Sequence, residues 1–466
     1  MQQYGLDHLH FTDQTGIMWM LSRSAAAYRT AASLRRQLHV SAFREKAVVV
    51  QWGYGERDYN VFESSSVQTQ GDRKTLVAAG ASHRLIALRG EDEAGLIGAG
   101  MNFSGQLGIG KRDDLEAFGA VDTSGMNVLQ IACGREHSML LAQIDDELQA
   151  APTPAGTSAS IPSATQETKT LKTALFAFGN SMYGQLGLGA SKDTLTKMKG
   201  EEEQVAGFVY EPSPTLVQLE DPNENVLQVV CGLDHTVLRT DQGNLYSMGW
   251  GADGQLGLGP TSSSDRAYPT LIERLSWSKQ GQELGSPIKT ISSSTDFTLA
   301  LLENNDLWIW GNAEYGQCMV NKKIDRILEP MHVPHPIPQS EKIASVAAGG
   351  TFALLLTDAG EVYTCGYGAL GLGPDSTHVL MPQKIPGLSN IKKVVASTDY
   401  AAAITDTGKM YTWGSCGKTG RLGHGDFGNL FEPKRMVLPE EKNGKRVEFI
   451  DVALGMDGSL ALIDVE

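Results

Sequence analysis

Short runs in which apolar and polar residues alternate recur along most of this chain, and many of them end in a glycine. The alternation has a period of two, as in a β-strand, and helical periodicity is almost absent. One recurring pattern is an apolar run, a glycine, about four residues and then G-Q-L-G-x-G. Its strong and weak copies lie at 47–62, 95–110, 175–189, 245–259, 307–320, 362–373 and 410–425.

A second pattern follows each copy of the first and has the form [apolar]-x-x-A-C-G-x-x-H before another alternating run. Its copies lie at 76–88, 129–142, 227–240, 288–302, 343–357, 391–405 and 447–464. Paired patterns with several strands per unit and a period of about 50 residues indicate repetition around an axis. We therefore predict an all-β fold, a seven-bladed β-propeller over residues 47–466.

The amino-acid composition agrees with this prediction and argues against disulfides and metal sites. The 52 glycines fall largely in the turns of the repeats, where positive φ angles are needed. The five cysteines are far apart and form no C-x-x-C pair, so we expect neither disulfides nor a metal site. Cys133 and Cys231 share one repeat position and are predicted to be small packed residues.

The formal charge is −15, and such an acidic chain does not attract nucleic acid through its overall field. There is no apolar run of about 18 residues, so no transmembrane segment is expected. The strings Gly249-Gly251-Gly254 and Gly366-Gly368-Gly371 imitate a dinucleotide fingerprint, but both lie in register with the repeat and neither precedes a helical pattern. We expect no cofactor and no bond-breaking active site.

The first 46 residues have a different character. The segment 18–46 is rich in Arg, Ser and Ala and contains a single acidic residue, Glu45. This composition is typical of a mitochondrial transit peptide, with a disordered basic tail as the alternative. Asp7 and Asp13 suit a presequence poorly, so residues 1–17 are interpreted as a possible upstream extension. The predicted location is the mitochondrion, in the matrix or associated with the inner membrane.

An insertion at about 144–173 separates the second and third copies of the first pattern. It is rich in Ser, Thr, Ala and Pro. We predict a disordered surface loop, and the alternative is a wedge that contacts a partner.

The paired patterns G-x-x-x-x-G-Q-L-G-x-G and A-C-G-x-x-H resemble the repeat of the regulator of chromosome condensation family, over residues 47–466. Four segments, 210–219, 246–259, 307–317 and 366–374, are similar to the mitochondrial, G-exchanging-factor-like branch of that family, as is the short sixth copy. The resemblance implies a seven-bladed propeller and guanine-nucleotide exchange without covalent chemistry.

The turns of the second pattern must form a ring on one face, because they recur once per blade. Their last position reads His83, His137, His235, Phe297, Phe352, Tyr400 and Gly458, and the preceding one reads Ser82, Glu136, Asp234, Asp296, Thr351, Asp399 and Asp457. The imidazole and aromatic side chains at the last position are expected to pack against a neighbouring blade and to form hydrogen bonds with its backbone. Each acid could simply cap its own turn, or five carboxylates could surround one mouth and attract a basic partner.

The resemblance places exchange residues on such a face and matches Asp234 best. The candidate partner-binding residues are therefore Asp234, His235, Glu136, Asp296, Asp399 and Asp457.

Two functions follow from the resemblance. The first is a mitochondrial guanine-nucleotide exchange factor for a dynamin-like fusion GTPase, with possible peripheral contact to the inner membrane. The alternative is a non-enzymatic scaffold that binds large-subunit mitochondrial ribosomal RNA and its assembly or modification factors. The acidic charge disfavours affinity for bare RNA, so the scaffold would need a local patch or partner proteins.

Overall fold

A computed structural model describes residues 46–55, 59–64, 67–68, 74–89, 94–144, 172–192, 209–260, 264–277, 279, 284–334 and 336–466. The predicted transit peptide and residues 145–171 of the predicted insertion lie outside these ranges. Within them, no helix combines the length and the apolar composition needed to cross a membrane.

The described residues form seven antiparallel sheets of four strands each, which confirms the predicted propeller. Blade 1 joins the first two described strands to the last two. From the axis outward it contains β27 (Val447–Leu454), β28 (Gly458–Val465), β1 (Lys46–Gly53) and β2 (Asn60–Phe62).

The other six blades follow in chain order, each again counted from the axis outward. Blade 2 contains β3 (Leu76–Ala79), β4 (His83–Arg89), β5 (Ala94–Gly100) and β6 (Leu115–Val121). Blade 3 contains β7 (Met126–Cys133), β8 (His137–Ile144), β9 (Lys172–Asn180) and β10 (Tyr210–Val217). Blade 4 contains β11 (Val226–Cys231), β12 (His235–Thr240), β13 (Leu245–Gly249) and β14 (Arg266–Leu271).

Blade 5 contains β15 (Ile288–Ser294), β16 (Phe297–Leu302), β17 (Leu307–Asn312) and β18 (Arg326–Val333). Blade 6 contains β19 (Ile343–Ala348), β20 (Phe352–Thr357), β21 (Val362–Tyr367) and β22 (His378–Lys384). Blade 7 contains β23 (Ile391–Ala396), β24 (Tyr400–Thr405), β25 (Met410–Gly414) and β26 (Leu430–Arg435). A 3₁₀ turn at Glu273–Leu275 and a four-residue helix at Pro439–Lys442 lie in the connections between blades.

The sequence copies and the blades are out of phase. The first pattern covers the third strand of one blade, and the second pattern that follows it covers the first two strands of the next blade. The first pair of patterns therefore begins with β1, the third strand of blade 1. The segment between β8 and β9 therefore connects two strands inside blade 3, although in the sequence it separates two copies.

The core lies between the blades, because the middle strands of each sheet are covered on both sides. The second strands of blades 5, 6 and 7 are buried along their whole length. Large side chains on the third strands fill the spaces between blades, as Trp310 and Trp413 do with no exposed surface. The Trp310 indole N–H also donates to the carbonyl of Gln255 in the preceding blade, at 3.0 Å.

The circle closes where β1 pairs with β28 along eight residue pairs, from Lys46 with Val465 to Gly53 with Gly458. An ionic contact reinforces this junction on the innermost strands. Asp451 of blade 1 accepts hydrogen bonds from Lys393 of blade 7 and from Lys74, which precedes blade 2, the latter at 2.6 Å. Burial opposes ionisation, but the two lysines outweigh it and lower the pKa of Asp451.

Asp451→Asn should lower the free energy of unfolding by about 1–3 kcal/mol at pH 7, because it leaves two lysines without their carboxylate. The lysines are roughly one third exposed, which keeps this loss below that of a fully buried pair. A carboxyl whose pKa is lowered by folding stabilises above its unfolded pKa of about 4, and that contribution disappears at lower pH. Urea unfolding at pH 7 and pH 3 measures both effects.

The pair Lys384–Glu361, which is more exposed than the contact at Asp451, supplies the matched control. Glu361→Gln should cost less than about 1 kcal/mol. Equal losses for the two variants would show that the contact at Asp451 does not hold the closure.

Candidate functional site

One side of the propeller carries both the turns between first and second strands and the loops between third and fourth strands. We call these the inner turns and the outer loops, and we call this side the turn face. In blade 4 the N–H of Trp250, at the start of the outer loop, donates to the carbonyl of Asp234 in the inner turn, at 2.8 Å. Gly249 makes this approach possible: its φ is +106°, and a Cβ there would lie 2.3 Å from the Asp234 oxygen.

The same bond occurs in every blade, at 2.7–3.0 Å. Its donor and acceptor residues are Tyr54 and Asp457, Met101 and Ser82, Asn180 and Glu136, Trp250 and Asp234, Asn312 and Asp296, Tyr367 and Thr351, and Ser415 and Asp399. The acceptors are the seven residues that precede the last position of the second pattern. The structure therefore brings all the predicted site positions to one face.

Their side chains do not surround the axis as the sequence suggested. A cavity of about 90 Å³ lies on the axis and is lined by the small residues of six inner turns, among them Gly80, Cys133, Cys231 and Gly455. None of the carboxylates of Glu136, Asp234, Asp296, Asp399 and Asp457 lines it. Each contacts other residues of the inner turns and outer loops instead, so the expectation of a ring of free carboxylates at one mouth is wrong.

Asp234 forms an ion pair with Arg135 of the preceding blade. Asp234 is buried, whereas Arg135 is partly exposed and reaches the rim of the axial cavity. Burial raises the pKa of Asp234 to about 6, even though Arg135 acts in the opposite direction. Asp234 thus holds Arg135 in place rather than offering a free carboxylate.

Asp296 has no cation bonded to it among the described residues. Its Oδ1 accepts a hydrogen bond from Gln255 Nε2 in the outer loop of blade 4, at 3.1 Å. Burial, together with the negative charges of Asp234 and Asp253, raises the pKa of Asp296 to about 7. Its turn is also strained, because the preceding Thr295 is β-branched and has a φ of +43°.

The remaining acids are bonded to different partners. Glu136 accepts from Ser104 at 3.0 Å and from Asn180 at 2.9 Å. The Ser82 hydroxyl donates to Asp457. Asp399 forms an ion pair with Arg421 at 2.5 Å, yet 41% of its side-chain surface is exposed.

The histidines have a structural role. Nε2 of His83, His137 and His235 lies 2.9–3.1 Å from the hydroxyls of Ser138, Thr236 and Ser293 in the next blade. The expected backbone contact is instead made by Tyr400, whose hydroxyl donates to the carbonyl of Gly455 at 2.6 Å. Burial lowers the pKa of each of the three histidines to about 3, so they are neutral.

The described residues contain no group of three or more His, Cys, Asp or Glu side chains arranged to hold a metal ion. Burial raises the pKa of Cys133 to about 12 and of Cys318 to about 11, which fits packed thiols rather than nucleophiles.

Two aromatic pairs lie on the turn face, and the sequence patterns described above do not predict them. Tyr183 stacks on Trp250 with ring centroids 4.9 Å apart, and Tyr315 lies 6.1 Å from Tyr367. In both pairs the first residue precedes a G-Q dipeptide and the second follows the glycine at or next to the end of a third strand. An aromatic residue at these two repeat positions was the signal that could have revealed them.

Known proteins are similar in sequence to this chain over about two thirds of its length or more. The chain is 28% identical over 321 residues to the mouse RCC1-like G exchanging factor-like protein, an alignment that covers 66% of this chain and 58% of the relative. It is 32% identical to the ultraviolet-B receptor UVR8 of Arabidopsis thaliana, over 72% of this chain and 65% of the receptor. The chain thus spans about three fifths of the length of its G-exchanging-factor-like relatives.

Solved structures share the fold. Human WBSCR16 superimposes with a TM-score of 0.68 at 24% identity, over 90% of this chain and 99% of that one. Yeast RCC1 (Prp20), solved with Kap60, gives a TM-score of 0.65 at 18% identity, over 93% and 96% of the two chains.

The family model described as the regulator of chromosome condensation (RCC1) repeat matches residues 174–238, 242–301, 304–356, 359–404 and 407–462, more than half of the chain. Together with the seven blades and the repeated bond between outer loop and inner turn, this match shows that the chain belongs to the regulator of chromosome condensation (RCC1) repeat family.

Proposed function

We propose that this protein is a guanine-nucleotide exchange factor whose turn face binds a GTPase. The observation that carries the proposal is a cluster in which Glu136, Asp234 and Asp296 influence a single cation, Arg135. Support also comes from the mouse and human relatives, which are named RCC1-like G exchanging factor-like proteins, and from the structural neighbour Prp20p of yeast, which binds Gsp1p and histones.

The cluster suits a basic partner surface. Three carboxylates in blades 3, 4 and 5 influence one guanidinium, so this part of the face keeps an excess of negative charge. The pKa of Asp296 is raised by burial first, and further by the charges of Asp234 and Asp253. The Tyr183–Trp250 stack lies in the outer loops of blades 3 and 4 and offers the large rigid side chains that anchor protein interfaces. Negative charge would steer the partner, and the aromatic pair would hold it.

Exchange needs no covalent step at this face. If the propeller binds the nucleotide-free GTPase more tightly than the nucleotide-bound form, the GTPase must bind its nucleotide more weakly in the complex, because the two binding equilibria are linked. The neutral histidines and the unreactive cysteines fit a binding surface of this kind.

We further propose a mitochondrial location, because residues 18–46 are rich in Arg and the chain resembles the mitochondrial branch of the family. The same resemblance leads us to propose a dynamin-like fusion GTPase as the client. Contact with the inner membrane would then be peripheral. A scaffold role in mitochondrial ribosome assembly is less favoured on the turn face, because its carboxylates would repel RNA phosphates.

The full chain should accelerate release of fluorescently labelled GDP from the client GTPase. Trp250→Ala and Asp296→Asn should each reduce this acceleration about tenfold or more, because they remove an anchor and the least compensated charge. Asp234→Ala should also reduce it, through the loss of the contact that positions Arg135.

Asp358→Asn, in an exposed turn between β20 and β21 on the opposite face, is the control and should exchange as the unmodified chain does. If all variants match the unmodified chain, the site assignment is wrong. If the unmodified chain does not accelerate release from any GTPase tested, the exchange function itself is wrong.

Asp296→Asn should also stabilise the propeller at pH 8, by about 1–3 kcal/mol. A carboxyl whose pKa is raised by folding destabilises the native state progressively as the pH rises from its unfolded pKa of about 4 to its folded pKa of about 7. The gain should therefore be complete at pH 8 and should vanish below about pH 4, where the carboxyl is protonated in both states. Thermal unfolding across this range measures the difference. A loss of stability at pH 8 would show that Asp296 is a structural residue.

A further inference from the structure

Proline interrupts the outermost strand of five blades at one equivalent position. Each of these strands contains a bulge, and the proline stands directly before the residue at which pairing with the third strand resumes. Proline has no N–H, so the sheet edge lacks a donor there, which discourages a further strand from adding to the blade. The five residues are Pro214, Pro269, Pro330, Pro382 and Pro433.

The outermost strand of blade 2 lacks this protection. β6 resumes pairing at Gly119, and the residue before it is Phe118. Because five blades have proline here, the antiparallel ladder needs no donor at this position, and the Phe118 N–H is left for a partner. β6 is seven residues long and exposes Glu116, Ala117 and Ala120. Blade 1 also lacks the proline, but its outermost strand β2 has only three residues.

A buried arginine lies beside this edge. Arg84 is 9% exposed, and its guanidinium carbon lies 4.7 Å from the centroid of the Tyr54 ring and 5.6 Å from that of the Phe118 ring. None of the described residues accepts a hydrogen bond from Arg84 or forms an ion pair with it, and its Nε is completely buried. A ligand can therefore reach this cation only at Nη1 and Nη2.

The repeat explains why this arginine has no partner. In blades 3 and 4 the equivalent residues, Ser138 and Thr236, donate to carbonyls of the preceding outer loop at 2.8 and 2.9 Å. Those carbonyls belong to Gln106 and Gln185 of the G-Q-L-G motif. The outer loop of blade 1, residues 54–59, has no such motif. The unpaired cation and the unprotected edge thus depart from the repeat at the same junction, between blades 1 and 2.

We propose that β6 and Arg84 form a docking site for an extended segment of a partner protein that carries an aspartate or a glutamate. The segment adds to blade 2 as a fifth strand and accepts a backbone hydrogen bond from the Phe118 N–H. Its acidic side chain lies beside the Phe118 side chain across the new strand pair and accepts from Arg84 Nη1 and Nη2. The site is separate from the cluster around Arg135, so it does not depend on the exchange function proposed above.

The exposed charges around this edge do not select the sign of the partner by themselves. The outer loop of blade 2 and β6 expose two cations and three acids, Lys111, Arg112, Asp113, Asp114 and Glu116. Arg84 decides the sign, because its charge lies in a partly dehydrated place where an ion pair is stronger than at the surface. A phosphate would also satisfy the Nη atoms, but an RNA cannot form the backbone hydrogen bonds of an added strand.

The test uses random peptides of about twelve residues that are displayed on phage and selected on the full chain. Selected peptides should be enriched in Asp or Glu and depleted in Pro. By calorimetry, Arg84→Gln should weaken the best peptide about tenfold, because it removes a charge-assisted pair. Phe118→Pro introduces the residue of the five protected blades and should abolish binding. Hydrogen exchange should show that the bound peptide protects the amides of residues 115–121.

Two variants serve as controls. Phe118→Leu keeps the N–H and an apolar side chain, so it should bind within about threefold of the unmodified chain. Arg326→Gln removes an exposed arginine from the outermost strand of blade 5 and should leave the affinity unchanged. A further test does not alter the chain: two versions of the best peptide are N-methylated on alternate residues. Only the version whose methyl groups face β6 should lose binding.

The proposal is overturned if the selected peptides show no acidic enrichment or if Phe118→Pro binds as Phe118→Leu does. It is also overturned if both N-methylated peptides keep their affinity. An RNA occupant replaces it if a mixed-sequence single-stranded RNA binds through Arg84 and displaces the peptide at about 150 mM salt.

Discussion

The hydrogen bond between outer loop and inner turn is the constraint on which the turn face depends. In each blade a glycine lies at the end of the third strand or one residue before it, and a Cβ at that glycine would lie 2.1–2.8 Å from the carbonyl oxygen of the inner turn. No side chain fits that space, so only glycine lets the next N–H reach the carbonyl. The bond forces every outer loop to start directly above an inner turn. Of the residues that follow the glycine, Tyr367 is exposed, Trp250 is partly exposed and Asn180 is buried.

The same geometry explains how the blades are joined. Once an outer loop is fixed, its G-Q-L-G segment meets the third strand of the next blade, where Gly257 packs on Trp310 and Gly423 packs on Trp52. The contact to Trp52 is also the closure of the ring, because Trp52 belongs to β1 at the beginning of the chain. A partner that binds the outer loops therefore contacts the elements that hold neighbouring blades together.

The spacing of glycines was sufficient to predict the number of blades and the face on which the acidic residues lie. Both follow from local turn geometry that is repeated at the same position of every blade. The direction of each side chain could not be predicted in this way. Asp234 and Arg135 are 99 residues apart, and nothing near either one in the sequence indicates that they pair. Asp399, by contrast, pairs with Arg421 of its own blade and stays exposed. Such contacts, between blades or within one, determine which acid is bonded to a cation, and they cannot be predicted from the sequence of a single repeat.

Departures from the repeat are informative because the other blades act as internal references. The turn of blade 5 places a β-branched Thr295 at a φ of +43°, and the adjacent Asp296 is half-buried without a bonded cation among the described residues. In blade 7 the buried Trp413 N–H has no acceptor among the described residues, whereas the equivalent Trp310 N–H is paired. Each feature costs stability that a regular repeat would avoid. Local costs of this kind are expected at positions that serve function, since a purely structural ring would gain from restoring the repeat.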